Sequence, residues 1–177
     1  PKPKPKPKIV RKKSPQEKVV EKKNFSIRDN VAKYGGKVDG VLRFSIQWND
    51  LGTWDKNDLD AHCIEPGGFE IMYSRNINAE TGGNLDVDIV NPIKGVPSVE
   101  NITWPEIERM KEGRYRLFVH NYCYREGHSG FRAEIEFCKN VYTYDYQKTL
   151  QNKEDVDVAY VILSEGKFTI SHCLECL

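Results

Sequence analysis

The sequence lacks the features that would place the chain in a membrane or staple it with disulfides. It has no run of eighteen or more apolar residues and no basic start followed by an apolar segment, so neither a membrane span nor a signal peptide is predicted. Five cysteines are an odd number, too sparse for a disulfide scaffold and more natural in a reducing compartment. We therefore expect a cytoplasmic protein. Because the first residue is not Met, a fragment of a larger or exported protein is the alternative expectation.

The sequence also lacks the motifs of several enzyme classes. It has no Gly-rich phosphate loop followed by Lys and Ser or Thr, and the pairs Gly35-Gly36 and Gly82-Gly83 indicate turns. Nothing near the cysteines resembles a nucleophile elbow. These absences favour a protein that is not an enzyme.

Charge is divided unevenly along the chain, although the overall net charge is only +1. Residues 1–37 contain thirteen Lys and Arg against three Asp and Glu, whereas residues 38–177 contain fourteen against twenty-three. The first part is therefore strongly basic and the second strongly acidic. We interpret residues 1–37 as a tail or linker and residues 38–177 as one folded domain.

The basic tail begins with PKPKPKPK, which alternates Pro with Lys. Proline restricts the backbone and the lysines repel one another, so the segment is predicted to be an extended spacer. A short helix is predicted over residues 14–25, with Ser14 as its cap and Pro15 at its first position. The tail is expected to act as a linker or to bind a polyanion or an acidic protein surface.

Beyond residue 38, apolar residues recur at every second position. In the stretch 42–48, Leu42, Phe44, Ile46 and Trp48 alternate with polar residues, as in a half-buried strand. Similar strands, separated by Gly, Pro and Asn, predict an all-β, antiparallel β-sandwich of the jelly-roll or immunoglobulin-like type. Predicted core residues are Trp48, Val87, Leu117, Val119, Ile135 and Phe137. Further predictions are a hairpin of strands 58–64 and 69–75, a hairpin turning at 164–167, and one short helix over 105–113.

Two of the predicted strands carry Asp at every second position. Asp58, Asp60 and His62 alternate with Leu59, Ala61 and Cys63, and Asp86 and Asp88 alternate with Leu85, Val87 and Ile89. Aspartate is disfavoured in strands, and neighbouring like charges repel. Ca²⁺, which binds six to eight oxygen atoms, would explain the pattern. The nearby acidic residues that could complete its shell are Asp50, Asp55, Glu80 and Glu100.

The acidic alternation also has a simpler explanation. The carboxylates could form a solvated surface or accept hydrogen bonds from turn amides. In a simple meander, moreover, the two acidic strands would lie about 10 Å apart, too far to share one ion unless they converge at one end.

The order of these motifs resembles the YfaP-like bacterial domain of unknown function. The resemblance covers about residues 38–137 and rests on the segments WNDLGTWDKNDLDAHCIEPGGFEIMYSRN, TGGNLDVDIVNP, PSVENITWPE, EGRYRLFVHNYCYREG and FRAEIEF. It implies an antiparallel β-sandwich related to calcium-dependent carbohydrate-binding and peptidase-appended modules. The acidic positions of the family correspond to Asp58, Asp60, Asp86, Asp88 and Glu100. Together with Asp55, these are the predicted metal ligands.

Two other groups of residues suggest sites. His172, Cys173 and Cys176 have the spacing of a zinc half-site, and His120 with Cys123 could supply the rest. One Cys-x-x-Cys motif without a second is a weak signal, so an exposed C-terminal end is the simpler interpretation. Rows of tyrosines, Tyr122 with Tyr124 and Tyr142 with Tyr144 and Tyr146, could form an aromatic platform for sugar rings or a protein partner. Burial against the second sheet is the favoured expectation.

We therefore predict a non-enzymatic recognition or assembly module, stabilised by Ca²⁺ and tethered by a basic linker. Its sandwich is expected to bind a protein or carbohydrate ligand. The alternatives are a metal-dependent hydrolase that uses the same acidic residues, and a structural component of a phage or secretion system. The fold alone does not choose among them.

Overall fold

A computed structural model describes residues 26–50, 52, 54–127 and 130–177. The predicted Pro/Lys spacer and the predicted helix over 14–25 lie outside the described residues. The elements, in chain order, are α1 (Ile27–Lys33), β1 (Leu42–Trp48), β2 (Asp58–Ile64), β3 (Glu70–Ile71), β4 (Asn84–Val87), β5 (Ser98–Trp104), a 3₁₀ turn (Ile107–Arg109), β6 (Gly113–Cys123), β7 (Phe131–Phe137), β8 (Asn140–Tyr146), β9 (Asp155–Ser164) and β10 (Lys167–His172).

The ten strands form two five-stranded antiparallel sheets. Sheet A has the order β4-β5-β1-β7-β8, and sheet B has the order β10-β9-β6-β2-β3. The inward-facing residues of both sheets form the main core. The prediction of an all-β antiparallel sandwich is confirmed.

The predicted core residues are all buried. Trp48, Leu117, Val119 and Ile135 are inaccessible to solvent, and Phe137 is nearly so. These five belong to the main core between the sheets. Val87 is also buried, but it belongs to a separate, smaller cluster described below.

Helix α1 explains why β1 is buried on both faces rather than on one. Ser26 caps the helix by accepting a hydrogen bond from the backbone N–H of Asp29 at 3.1 Å. Ile27 and Val31 then pack against Val87 and Val99 on the outer side of sheet A. The folded unit therefore includes residues 26–37, which the sequence analysis assigned to the tail.

Polar contacts also fix α1 to sheet A. Arg28 pairs with Glu136 at 2.8 Å, and Arg43, which is almost fully buried, pairs with Glu134 at 3.0 Å and with Glu136 at 2.6 Å. Asn30 donates a hydrogen bond to Gln47 at 2.7 Å. The polar face of β1 is thus covered by hydrogen-bonded partners, as buried charges require.

Two local predictions were wrong. The segment 105–113 forms only the 3₁₀ turn, because Glu106 is extended, supplies no side-chain cap, and the chain leaves the turn at Met110 in an extended conformation. The predicted strand 69–75 shortens to two paired residues, since Met72 and Arg75 form a tight bridged turn instead.

The hairpin that turns at 164–167 is confirmed. Strands β9 and β10 pair through it, and Glu165 and Gly166 both have positive φ, of 50° and 69°. Two successive positive φ values are typical of the tight turns that join antiparallel strands.

Candidate cation-binding pocket

A β-bulge in β4 separates two of the predicted acidic ligands. In the pairing with β5, Leu85 lies opposite Ile102 but Val87 lies opposite Asn101, so one residue of β4 is extra. Leu85 therefore packs in the main core, while Val87 faces helix α1. The predicted strict alternation of Leu85, Val87 and Ile89 on one face was wrong, because the bulge shifts it by one residue.

Asp86 serves the fold rather than the pocket. Its Oδ2 accepts a hydrogen bond from the backbone N–H of Lys37 at 2.8 Å, and its Oδ1 accepts one from Asn101 at 2.7 Å. Asn101 also contacts Ser45 and the carbonyl of Lys37. The Asp86 carboxylate thus helps to fix the segment that follows α1 onto sheet A.

Asp88, by contrast, lies beside the acidic end of β2. Together with neighbouring residues it lines an open pocket of about 240 Å³, which we call the acidic pocket. Its lining residues are Asp58, Asp60, Tyr73, Asp88, Val90 and Tyr122. The two acidic segments come from different sheets that converge here, which removes the expected 10 Å separation.

Glu100 lies behind the acidic pocket and connects the two sheets. Strand β3 pairs with only Cys63 and Ile64 of β2, so it leaves the N-terminal half of that edge unpaired. The buried Glu100 side chain, from β5, fills the gap: its Oε2 accepts the backbone N–H of Ala61 at 2.6 Å. Its Oε1 has no hydrogen-bond donor among the described residues.

The surroundings of Glu100 disfavour its ionised form. Burial, followed by the negative charges of Asp60 and Asp88, raises its pKa well above the usual value, although the Ala61 N–H acts in the opposite direction. Asp88 is also within hydrogen-bonding reach, and such a bond between carboxyl groups requires that one of them carries a proton. A proton or a metal cation would relieve this repulsion.

Asp58 is a second carboxyl group whose ionised form is disfavoured by its surroundings. Burial and the charge of Asp60 raise its pKa to about 6, even though Arg125 lowers it. Arg125 contacts Asp58 Oδ2 at 2.8 Å, while Oδ1 is buried with no donor among the described residues. Arg125 also donates to the carbonyl of Val90 at 2.7 Å, so it links β2 to the segment after β4.

Two tyrosines border the acidic pocket. Tyr73 and Tyr122 meet edge to face, with ring centroids 5.2 Å apart, and remain 45% and 38% exposed. The ammonium of Lys153 lies 3.6 Å from the Tyr122 ring centre. Sequence reasoning missed Tyr73, because its strand ends early and turns back toward β6.

The other tyrosines divide between core and surface. Tyr144 is fully buried, and Tyr142 and Tyr146 pack partly against the core, as expected. Tyr122 and Tyr124 are exposed, contrary to the favoured expectation of burial. An aromatic surface therefore exists on sheet B, next to the carboxylates.

The remaining predicted acidic residues lie outside the pocket lining. Asp55 accepts hydrogen bonds from the backbone and side chain of Asn57, at 3.0 and 2.6 Å, as in a turn-stabilising aspartate. Asp50 accepts from Gln47 and pairs with Arg132. Glu80 pairs with Lys111 at 2.8 Å.

The composition of the pocket fits a hard cation better than a soft one. The carboxyl groups of Asp58, Asp60, Asp88 and Glu100 offer only oxygen atoms as ligands, and two of these oxygens are buried without a hydrogen-bond donor among the described residues. Ca²⁺ prefers such ligands and tolerates irregular geometry and water. Within the described part of the chain, no group of three or more His, Cys, Asp or Glu side chains is already arranged to hold a metal, so binding requires side-chain adjustment.

Comparisons with known proteins bear on the fold alone. A crystal structure of an unknown function protein, SAV2460, superposes with a TM-score of 0.54 and 13% sequence identity, covering 79% of this chain and 91% of that chain. The chain is thus similar in fold to a protein whose own function is unknown. No protein-family model and no curated protein matches the sequence. No helix in the described residues has the length and apolar character needed to cross a membrane.

Proposed function

We propose that this protein is a non-enzymatic recognition or assembly module whose sandwich is stabilised by Ca²⁺ in the acidic pocket. The observation that carries the proposal is the pair of buried carboxylate oxygens, Asp58 Oδ1 and Glu100 Oε1, which lack donors among the described residues. Leaving such oxygens unsatisfied costs free energy, and a cation would satisfy both.

The charge balance supports the same proposal. Four carboxyl groups converge at the pocket, and the guanidinium of Arg125 contacts only Asp58 among them. In the proposed site, Asp88 would supply an exposed oxygen, Asp58, Asp60 and Glu100 would supply buried ones, and water would complete the shell. Bound Ca²⁺ would supply a charge that offsets the mutual repulsion of these groups.

The walls of the pocket favour recognition over hydrolysis. Tyr73, Val90 and Tyr122 give one side of the opening an exposed aromatic and apolar character. Such surfaces are typical of sites that bind sugar rings or protein side chains. The resemblance to the YfaP-like domain supports a module of this kind.

The test is thermal unfolding of the full chain in EDTA, in Mg²⁺ and in millimolar Ca²⁺. A cation that binds only the folded state stabilises it by about 2.7 kcal/mol at a hundredfold excess over Kd. For a domain of this size, that raises Tm by about 5 to 10 °C. Identical melts in the three solutions would refute the calcium part of the proposal.

A further inference from the structure

Four side chains form a row across the outer face of sheet B, beside the acidic pocket. Glu70 on β3 contacts His62 Nδ1 on β2 at 2.9 Å, and Asp155 on β9 contacts His120 Nδ1 on β6 at 2.6 Å. The strands lie in the order β3-β2-β6-β9. Each carboxylate therefore flanks the histidine pair from outside, and the two imidazoles lie side by side between them.

These contacts determine which ring nitrogen of each neutral histidine carries the hydrogen. An ionised carboxylate accepts only, so Nδ1 of each histidine donates to it, and the lone pair is left on Nε2. Metal-binding histidines commonly have this arrangement, with a carboxylate on the second nitrogen orienting the ring. Arg75 and Arg116 in turn contact Glu70 and Asp155, at 3.4 and 3.9 Å, which holds the carboxylates in place.

The Nε2 atom of His62 has no hydrogen-bond partner among the described residues, although the residue is 96% buried. Asp60 Oδ2 faces it at 3.8 Å, too far for a hydrogen bond. Burial of a polar nitrogen without a partner is costly. The unsatisfied atom thus points toward a carboxylate across a gap that an additional atom could bridge.

The spacing of the two rings matches a shared ligand. The ring centroids of His62 and His120 are 5.3 Å apart. Two imidazoles bound through nitrogen to one tetrahedral Zn²⁺, at about 2.0–2.1 Å each, have their ring centres about 5 Å apart. Asp60 pairs directly with His120 in the β2–β6 ladder, so all three side chains project from the same face.

We propose that Asp60, His62 and His120 bind a divalent transition metal such as Zn²⁺. Three protein ligands would leave one coordination position for water or a ligand group. In a shared coordination sphere, the Asp60 oxygen and the His62 nitrogen lie about 3 to 3.5 Å apart. A small side-chain rotation would shorten the observed 3.8 Å between Asp60 Oδ2 and His62 Nε2 to this value. The pairing of β2 with β6 already places the three ligand residues side by side.

This site is distinct in chemistry from the proposed calcium site, although Asp60 adjoins both. Imidazole nitrogen suits Zn²⁺, Co²⁺ and Ni²⁺, whereas Ca²⁺ takes oxygen ligands. His62 and His120 belong only to the transition-metal site, while Asp88 and Glu100 belong only to the acidic pocket. Variants of these residues therefore separate the two proposals.

The experiment is a titration of the full chain, without a histidine tag, with Co²⁺ monitored by visible absorption, followed by competition with Zn²⁺. Burial lowers the pKa of His62, but the negative charges of Asp60 and Glu70 and the hydrogen bond to Glu70 raise it above its usual value, so the titration is done at about pH 8. We expect one bound Co²⁺ with tetrahedral absorption and no thiolate charge-transfer band.

The variants H62Q and H120Q should each weaken binding at least tenfold, and D155N, which acts only by orienting His120, about tenfold. Because His120 is partly exposed, H120Q should remain folded by circular dichroism. The control H172Q changes a histidine whose Nδ1 contacts Tyr144, 2.7 Å away, outside the row. D88N should leave Co²⁺ binding unchanged.

Three results would overturn the proposal. The first is no saturable Co²⁺ absorption in the wild-type chain. The second is unchanged affinity in a folded H120Q variant. The third is a thiolate charge-transfer band that disappears on replacing Cys173 and Cys176 with Ser, which would place the metal at the C-terminal cysteines instead.

Discussion

The carboxylate of Glu100, on sheet A, accepts the backbone N–H of Ala61, on sheet B, at 2.6 Å. This bond closes the edge of β2 that the short strand β3 leaves unpaired. It also places a buried acidic side chain directly behind Asp60 and Asp88. One residue therefore contributes both to joining the sheets and to the charge of the acidic pocket.

Two substitutions at Glu100 should differ in their effect on the stability of the metal-free protein. Glu100→Gln keeps an oxygen for the Ala61 N–H and replaces a buried carboxyl group whose ionised form is disfavoured, so the free energy of unfolding should stay equal or rise. Glu100→Ala leaves the N–H unsatisfied and should lower it by about 1–3 kcal/mol. Urea unfolding in EDTA measures both values. Equal losses in the two variants would contradict this account.

Asp88 and Asp86 provide a matched pair for the calcium proposal. Asp88→Asn should abolish most of the rise in Tm caused by Ca²⁺, while leaving the metal-free protein as stable as before or more so, because repulsion is relieved. Asp86→Asn should keep the calcium response. It should lower stability by about 1 kcal/mol, since Asp86 accepts hydrogen bonds from Lys37 and Asn101. Melts of both variants with EDTA and Ca²⁺ check this, and the reverse pattern would place the ion elsewhere.

The raised pKa of Asp58 predicts a specific pH dependence in the absence of metal. The folded state holds this proton up to about pH 6, whereas the unfolded state releases it near 3.8. The folded protein therefore binds more protons between these values, and its stability should fall as pH rises from about 4 to 6. The contribution is at most about 3 kcal/mol.

Other groups also titrate in that range, so the informative quantity is a difference. Asp58→Asn should lack this part of the pH dependence, so the stability difference between wild type and variant should change with pH across the window. A difference that stays constant from pH 4 to 7 would show that Asp58 does not titrate as described.

The packing of α1 predicts where the chain can be shortened. Val31 is fully buried against sheet A, so Val31→Ala should cost about 1–3 kcal/mol, whereas Lys33→Ala, at an exposed position, should cost little.

Deleting residues 1–13 should leave Tm nearly unchanged. A large loss on this deletion would mean that the tail contributes to the fold.

The basic tail predicts binding to polyanions. Residues 1–13 contain seven Lys and Arg, so the full chain should bind heparin or duplex DNA, and deletion of this segment should abolish that binding. The affinity should fall steeply with salt, because phosphate or sulfate contacts release counterions. Fluorescence anisotropy at several salt concentrations measures this. Binding that survives the deletion would assign the polyanion surface to the sandwich.

The strand pattern was predictable because apolar alternation reflects local burial. The stretch from Leu42 to Trp48 and its successors identified the sandwich and its core. The cover over the polar face of β1 was not foreseen, because the division of charge along the chain assigned α1 to the basic tail. Ser26 followed by Asp29 is an N-terminal helix signal that could have located α1.

The candidate site was predictable in residue type but not in arrangement. Asp58, Asp60 and Asp88 were identified from their unusual positions in predicted strands, and Glu100 as a nearby acidic residue that also matches the resembled family. The four residues converge. Their convergence depends on strand order, which the sequence does not state. Tyr73 was missed because it lies in a turn just after β3, where the predicted strand 69–75 does not continue, and the turn places its ring against Tyr122.

The bulge in β4 has a consequence for how this segment tolerates change. In the sequence, Asp86 and Asp88 look like equivalent members of one acidic motif. Asp86 contacts Lys37 and Asn101, whereas Asp88 lines the acidic pocket, because one extra residue changes the direction in which the following side chains point. If β4 paired with β5 regularly through these residues, without the bulge, Asp86 and Asp88 would point to the same face of sheet A. The bulge therefore decides that Asp88 alone faces the acidic pocket.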